Sequence, residues 1–192
     1  MKQATTIAVL ASGSGTNAEN IIRYFAHSKK AKVVLVLTNN PSAGVINRAK
    51  NLNVPCVVFN KNDFSKTDTV LNLLTEYKTD LIVLAGFLLL VPEKIIHAFQ
   101  NKIINIHPAL LPGAGGKGFY GERVHRAVLD TRHPVSGITI HYVNEKFDEG
   151  EIIFQAACHV SKEDTIDSLA SKIHSLEYMY FPVVIEKISG IE

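Results

Sequence analysis

The stretch Ile7-Ala8-Val9-Leu10-Ala11-Ser12-Gly13-Ser14-Gly15-Thr16-Asn17-Ala18 carries an apolar run into two glycines and then into a helical pattern. Five apolar residues without polar alternation predict a strand buried on both faces, as in a parallel sheet. The glycines let the backbone turn sharply and approach a ligand, and a helix start offers unpaired N–H groups and a positive dipole end. An anion, most often a phosphate, is the natural guest. Gly13, Gly15 and Ala18 also fit the G-x-G-x-x-A spacing of dinucleotide sites. That chemistry needs a carboxylate at the end of the second strand to hold a ribose, and Leu37-Thr38-Asn39-Asn40-Pro41 has none. The Gly-Lys-Ser/Thr ending of an NTPase phosphate loop is missing too. These residues point to phosphate without a dinucleotide.

Outward from this loop the pattern repeats. Apolar runs at 7–11, 33–37, 54–59, 81–85 and 103–106 read as strands buried on both faces. Helical spacings at 20–27, 43–52, 67–77 and 92–99 lie between them, with Thr16 and Asn17 as the cap before the first. Strand and helix in alternation mean right-handed crossovers and a parallel sheet. Further on, Ile138, Ile140 and Tyr142 alternate with Thr139, His141 and Val143, which predicts a strand with unlike faces. A run at 152–158 follows as its hairpin partner after a wide loop. Beyond Asp164, Ile166, Leu169, Ala170, Ile173 and Tyr180 make one stripe of a long helix that Pro182 is expected to kink or interrupt. The expected fold is α/β: a mostly parallel, doubly wound (Rossmann-like) sheet with a late antiparallel strand pair and a long C-terminal helix. In such sheets ligands sit beyond the carboxyl ends of the strands.

Composition narrows the function classes. A chain of 192 residues suits one domain and buries roughly 70% of its unfolded surface without a disulfide or metal staple. Hydrophobic and charged fractions of 46% and 20% exclude wholesale disorder. A net charge of +2 argues against a nucleic-acid or membrane surface. Cys56 and Cys158 lie far apart with no CxxC, so neither a disulfide framework nor a zinc knuckle is indicated. The opening residues are poor as a signal peptide, and the apolar stretch 81–92 is interrupted by Gly86 and too short for a bilayer. The expectation is a soluble, cytoplasmic domain that works on small molecules, as a monomer or homodimer.

Asn105-Ile106-His107-Pro108 closes the fifth strand. Residues two apart share a face, so the Asn105 amide and the His107 imidazole stand together at its carboxyl end. Such a pair suits acyl chemistry, because the amide can donate to a developing oxyanion while the imidazole carries a proton near pH 7. The usual third partner is a carboxylate that orients the ring and favours its charged form. Asp148, in Phe147-Asp148-Glu149-Gly150, is the best placed. No Ser, Cys or Lys nucleophile sits beside a base and GxSxG is absent, which favours direct transfer to an external nucleophile. His125, His141 and His159 do not form a metal spacing, and no metal is expected.

Taken together, Ala11-Ser12-Gly13-Ser14-Gly15-Thr16-Asn17, Leu84-Ala85-Gly86-Phe87, Asn105-Ile106-His107-Pro108-Ala109-Leu110-Leu111-Pro112, Ser136-Gly137-Ile138-Thr139-Ile140-His141 and Phe147-Asp148-Glu149-Gly150 resemble the folate-dependent phosphoribosylglycinamide formyltransferase family in order and spacing. The resemblance covers essentially the whole chain. It implies transfer of the formyl group of 10-formyltetrahydrofolate, the co-substrate, to the amine of glycinamide ribonucleotide in purine synthesis. Gly15, Thr16 and Asn17 would hold the substrate phosphate. Leu88, Leu89, Leu90 and Val91, with Asn105 and the loop from Val143 to Asp148, would line the folate pocket. Glu177 would contact the ribose; without the resemblance it reads as part of a solvated helix face. Asn105 and protonated His107 would stabilise the tetrahedral oxyanion, and Asp148 would raise the His107 pKa and order a water. Residues 1–100 would form the phosphate-binding half and 101–192 the catalytic and folate-binding half of a single domain.

This chain departs from many relatives in having Gly113-Ala114 after Leu-Leu-Pro, and Leu89 where some carry Arg. Residues 115–121 resemble a longer loop variant. Lys66 and Lys117 are candidates for the folate glutamate tail, and residues 112–120 and the Asp148 loop are expected to be mobile without ligand. Competing readings are a formyltransferase for another amine, such as an amino-sugar nucleotide, and a non-catalytic nucleotide-binding module. Methionyl-tRNA formyltransferase, which carries a further nucleic-acid-binding domain, and formyltetrahydrofolate hydrolase, which carries an N-terminal regulatory one, fit less well.

Overall fold

Along β1 (Thr5–Leu10) every second side chain meets a different core. Ile7 and Val9 join one apolar cluster, Ala8 and Leu10 the other, and all four are at most 2% exposed. Such a strand must lie inside a sheet covered on both sides. The computed structural model, which describes residues 3–113, 115–116 and 121–190, shows that sheet. Its seven strands run in the order β3-β2-β1-β4-β5-β6-β7. Here β2 is Ala31–Thr38, β3 Cys56–Val58, β4 Leu81–Leu84, β5 Ile103–His107, β6 Val135–Tyr142 and β7 Ile152–His159. The first five are parallel, and β6 is antiparallel to both β5 and β7.

Helix α1 (Thr16–Phe25), α2 (Val45–Asn51), α6 (Glu122–Asp130) and α7 (Ile166–Ser189) cover one face. The short α3 (Lys61–Ser65), α4 (Thr69–Glu76) and α5 (Glu93–Ala98) cover the other. The strand order reverses between β1 and β4, so the loops that follow them part and leave a crevice. No helix among the described residues is long and apolar enough to cross a membrane.

Several expectations need correction. The first helix begins four residues early, at Thr16: Gly15 is its N-cap, in the left-handed region at φ 77°, and Thr16 and Asn17 lie inside it. β3 is half-buried rather than fully buried, because it is an edge strand. β6 has the unlike faces expected, and both are buried: Thr139 and His141 are as buried as Ile138 and Ile140, since the loops around β5 cover the polar face. Helices α3 and α6 were not foreseen, although Val124 and Val128, four apart and both buried, are the amphipathic signal for α6.

Helix α7 runs unbroken through Pro182. A proline there removes the N–H that would bond the Tyr178 carbonyl. Asn20 of α1 supplies the missing donor, with its Nδ2 3.0 Å from that oxygen.

Candidate active site

The loop after β1 is held from three sides. Ser12 Oγ donates to Asn39 Oδ1 at 2.6 Å and accepts from the Leu88 amide at 3.1 Å, while the Ser12 amide donates to the Gly86 carbonyl. Asn39, at the place where a dinucleotide site would have its acid, thus serves the loop itself. Arg48 donates to the Ser14 carbonyl and pairs with Glu19. Gly15 has no room for a side chain, since a Cβ would stand 2.4 Å from Val45 Cβ. The start of α1 has no side-chain cap, so its first N–H groups are open to an anion.

This helix start, the turn after β4 and the end of β5 border one cleft of about 630 Å³. At its β5 end the sequence-predicted groups come together. Asn105 and His107 lie on the same face of β5, and Asp148 approaches from the β6–β7 loop, with Oδ2 3.5 Å from His107 Nδ1 and Oδ1 3.5 Å from Asn105 Nδ2. Burial pushes the Asp148 carboxyl up. The contact with His141, the Gly116 N–H and the nearby His107 outweigh this and hold it below the ordinary carboxylate range.

His141, which sequence reasoning placed in a motif without a role, faces Asn105 in the β5–β6 register. Its Nδ1 lies 2.8 Å from the Tyr142 carbonyl, which can only accept, so Nδ1 carries the proton. The neutral ring then presents Nε2 as an acceptor to Asn105 Nδ2, 3.1 Å away. Nε2 also lies 3.6 Å from Asp148 Oδ1.

At the other end, Glu177 is not on a solvated helix face. It is 4% exposed, and its Oε2 accepts from Asn17 Nδ2 at 2.8 Å and His174 Nδ1 at 2.9 Å. One N–H of the Asn17 side chain is thus taken by Glu177. The hydrogen bond to Glu177 holds the His174 pKa up against burial. His125 is the opposite case: burial first, then the neighbouring His174, push its pKa down, and its buried Nδ1 has no partner among the described residues. Sequence reasoning missed both, although the three-residue spacing of His174 and Glu177 on one helix was visible.

The apolar run 88–91 divides. Leu88 is 48% exposed and lines the main cleft, whereas Val91 is 4% exposed and belongs to the core. Leu89, Leu90, Val91 and Val143 wall a narrow crevice that shares Phe87, Asn105, Phe147 and Asp148 with the main cleft. Lys66 caps the end of α3, and Ala114, Lys117 and residues 118–120 lie outside the described residues.

The family model described as Formyl transferase matches residues 5–185. The chain belongs to the formyl transferase family. Among its relatives, phosphoribosylglycinamide formyltransferase of Bacillus subtilis (strain 168) is 34% identical over 189 residues, covering 96% of this chain and 94% of that one. The chloroplastic phosphoribosylglycinamide formyltransferase of Arabidopsis thaliana is 40% identical over 185 residues, covering 93% of this chain. The chain spans 63% of the length of that protein and 60% of its Vigna unguiculata counterpart. The crystal structure of glycinamide ribonucleotide transformylase 1 from Geobacillus kaustophilus superposes with a TM-score of 0.89 at 33% identity, covering 98% of this chain and all of that one. The formyl transferase fold is thus shared along its length, strand pair and C-terminal helix included.

Proposed function

We propose that the chain transfers a formyl group from 10-formyltetrahydrofolate to the primary amine of glycinamide ribonucleotide. One observation carries the reading: a single cleft joins an uncapped helix start at one end to the Asn105, His107 and Asp148 cluster at the other. The names of the relatives support the choice of substrates.

On this reading the backbone N–H groups at Gly15, Thr16 and Asn17 receive the phosphate, and Glu177, whose two hydrogen bonds both use Oε2, offers Oε1 to a ribose hydroxyl. The folate fits the apolar walls. The crevice of about 50 Å³ at Leu89, Leu90, Val91 and Val143 admits the edge of a flat ring, with the amide and carboxylate of Asn105 and Asp148 at its polar end, and Leu88 borders the remainder in the cleft. The co-substrate supplies a formyl carbon activated by its bond to nitrogen. The substrate amine donates its lone pair to that carbon while the carbonyl π pair moves onto oxygen. Asn105 Nδ2 and the His107 ring donate to this developing oxyanion, as preorganised dipoles do. Collapse re-forms the carbonyl and breaks the bond to the folate nitrogen. The protonated His107 ring helps deliver a proton to the nitrogen that leaves, the proton lost by the amine restores the ring through a water ordered by Asp148, and Asp148 holds the ring for both tasks. Residues 1–100 contribute the phosphate end and the wall at 88–91. Residues 101–192 contribute the acid–base groups and Glu177.

The test is formyl transfer from 10-formyltetrahydrofolate to glycinamide ribonucleotide, with His107→Ala and Asp148→Asn beside the wild type. Turnover lost in both variants is the expected result. Folate binding without turnover would overturn the choice of amine, and amino-sugar nucleotides would be tried next.

A further inference from the structure

His107, Thr139 and Gln155 stand side by side in the register of β5, β6 and β7. Thr139 is fully buried, and its hydroxyl donates to the Ala109 carbonyl at 2.7 Å while accepting from the Leu111 amide at 3.0 Å. Gln155 Nε2 donates to Thr139 Oγ1 at 2.9 Å and to the Leu111 carbonyl at 3.1 Å. Both backbone polar groups of Leu111 are thus held by side chains from the neighbouring strands, four residues after His107.

Leu111 in turn packs against the glycines beyond it. A Cβ on Gly115 would stand 2.3 Å from Leu111 Cδ2 and 3.2 Å from Asp148 Cβ. The Gly115 backbone is not in the left-handed region, so space rather than φ requires the glycine. The next residue, Gly116, donates its N–H to Asp148 Oδ2 at 2.9 Å, the same oxygen that faces His107. The contacts of Asp148 Oδ1, to Asn105 and His141, are longer, at 3.5 and 3.6 Å.

We infer that Leu111, Gly115 and Gly116 are positioning residues: Leu111, anchored by Thr139 and Gln155, backs Gly115, and Gly116 holds the Asp148 carboxylate toward His107. Leu111 and Gly115 act through Asp148 and need not touch substrate. The kinetic part of the test rests on the formyl-transfer reading; the geometry does not. A displaced Gly116 would free a carboxylate from its shortest hydrogen bond, and a misplacement of this kind costs about 10- to 100-fold in kcat.

The experiment uses Gly115→Ala, Leu111→Ala and the double variant in the full chain. Gly115→Ala is expected to lower kcat by about 10- to 100-fold with KM for both substrates changed less than about threefold. The Leu111→Ala change makes room for the added methyl, so the double variant regains kcat relative to Gly115→Ala. A readout independent of catalysis is the carboxyl ¹³C titration of Asp148, which moves to higher pH in Gly115→Ala and back in the double variant. An Asp148 titration unchanged in Gly115→Ala, or a loss that Leu111→Ala does not relieve, would overturn the inference. A titration that moves as expected in a chain without formyl transfer would uphold the positioning role and sink the substrate assignment instead.

Discussion

His107 Nδ1 and Asp148 Oδ2 face each other across 3.5 Å, with side chains only 4% and 11% exposed. Salt screens so enclosed a pair far less than a surface pair. The carboxylate stands against the ring, and the Gly116 N–H donates to the same oxygen at 2.9 Å.

Asp148→Asn keeps the shape and removes the charge. It should lower kcat by about 10²- to 10⁴-fold, the range for a disabled acid–base group. Because the folded-state pKa of Asp148 lies below its unfolded value, its contribution to stability is full above about pH 4 and fades as pH falls through the folded value. Urea unfolding at pH 7 should show the variant less stable than wild type, and the gap should narrow in acid.

His141→Phe retains the ring volume and removes the acceptor that meets Asn105 Nδ2. Asn105 then loses its fixed direction, and kcat should fall by about 10- to 100-fold. Steady-state kinetics decide it: an unchanged kcat would mean that Asn105 is held by the strand alone.

Asn20 stands in for the N–H that Pro182 lacks. Asn20→Ala should cost about 1 kcal/mol. In a Pro182→Ala background the restored backbone N–H can take the Tyr178 carbonyl, and the same substitution should cost little. Chemical denaturation of the four chains closes this cycle, and equal costs in both backgrounds would refute the substitution of one donor for the other.

The hydrogen bond to Glu177 raises the His174 pKa, with burial in opposition. A raised folded-state pKa stabilises the protein below the unfolded value near pH 6.5, and this is lost as pH rises through the folded value. His174→Gln should therefore be less stable than wild type at pH 6, with the difference shrinking by pH 9 in parallel denaturation curves.

The parallel sheet was legible because strands such as Ile7–Ala11 and Leu81–Ala85 are apolar without alternation, a pattern that only burial on both faces tolerates. Asn105 and His107 were legible as a pair because two residues apart on a strand is a local rule. His141 was not, because its relation to Asn105 is a cross-strand register set by the whole length of β6. Pro182 misled for the same reason: the local rule breaks a helix there, and Asn20, 158 positions away from Tyr178 along the chain, supplies the donor that Tyr178 lacks.

By itself the sequence determined the periodicities, hence the α/β class, the glycine-rich turn into α1 and the acid–base residue types at the end of β5. The tertiary structure alone decided which polar groups meet. It buried Glu177 between Asn17 and His174, and brought the Gly116 N–H onto Asp148. Local patterns follow from φ, ψ and side-chain polarity over a few residues. A hydrogen bond across the fold requires two distant segments to close within about 3 Å, and only the packing of the complete sheet and its helices sets that distance.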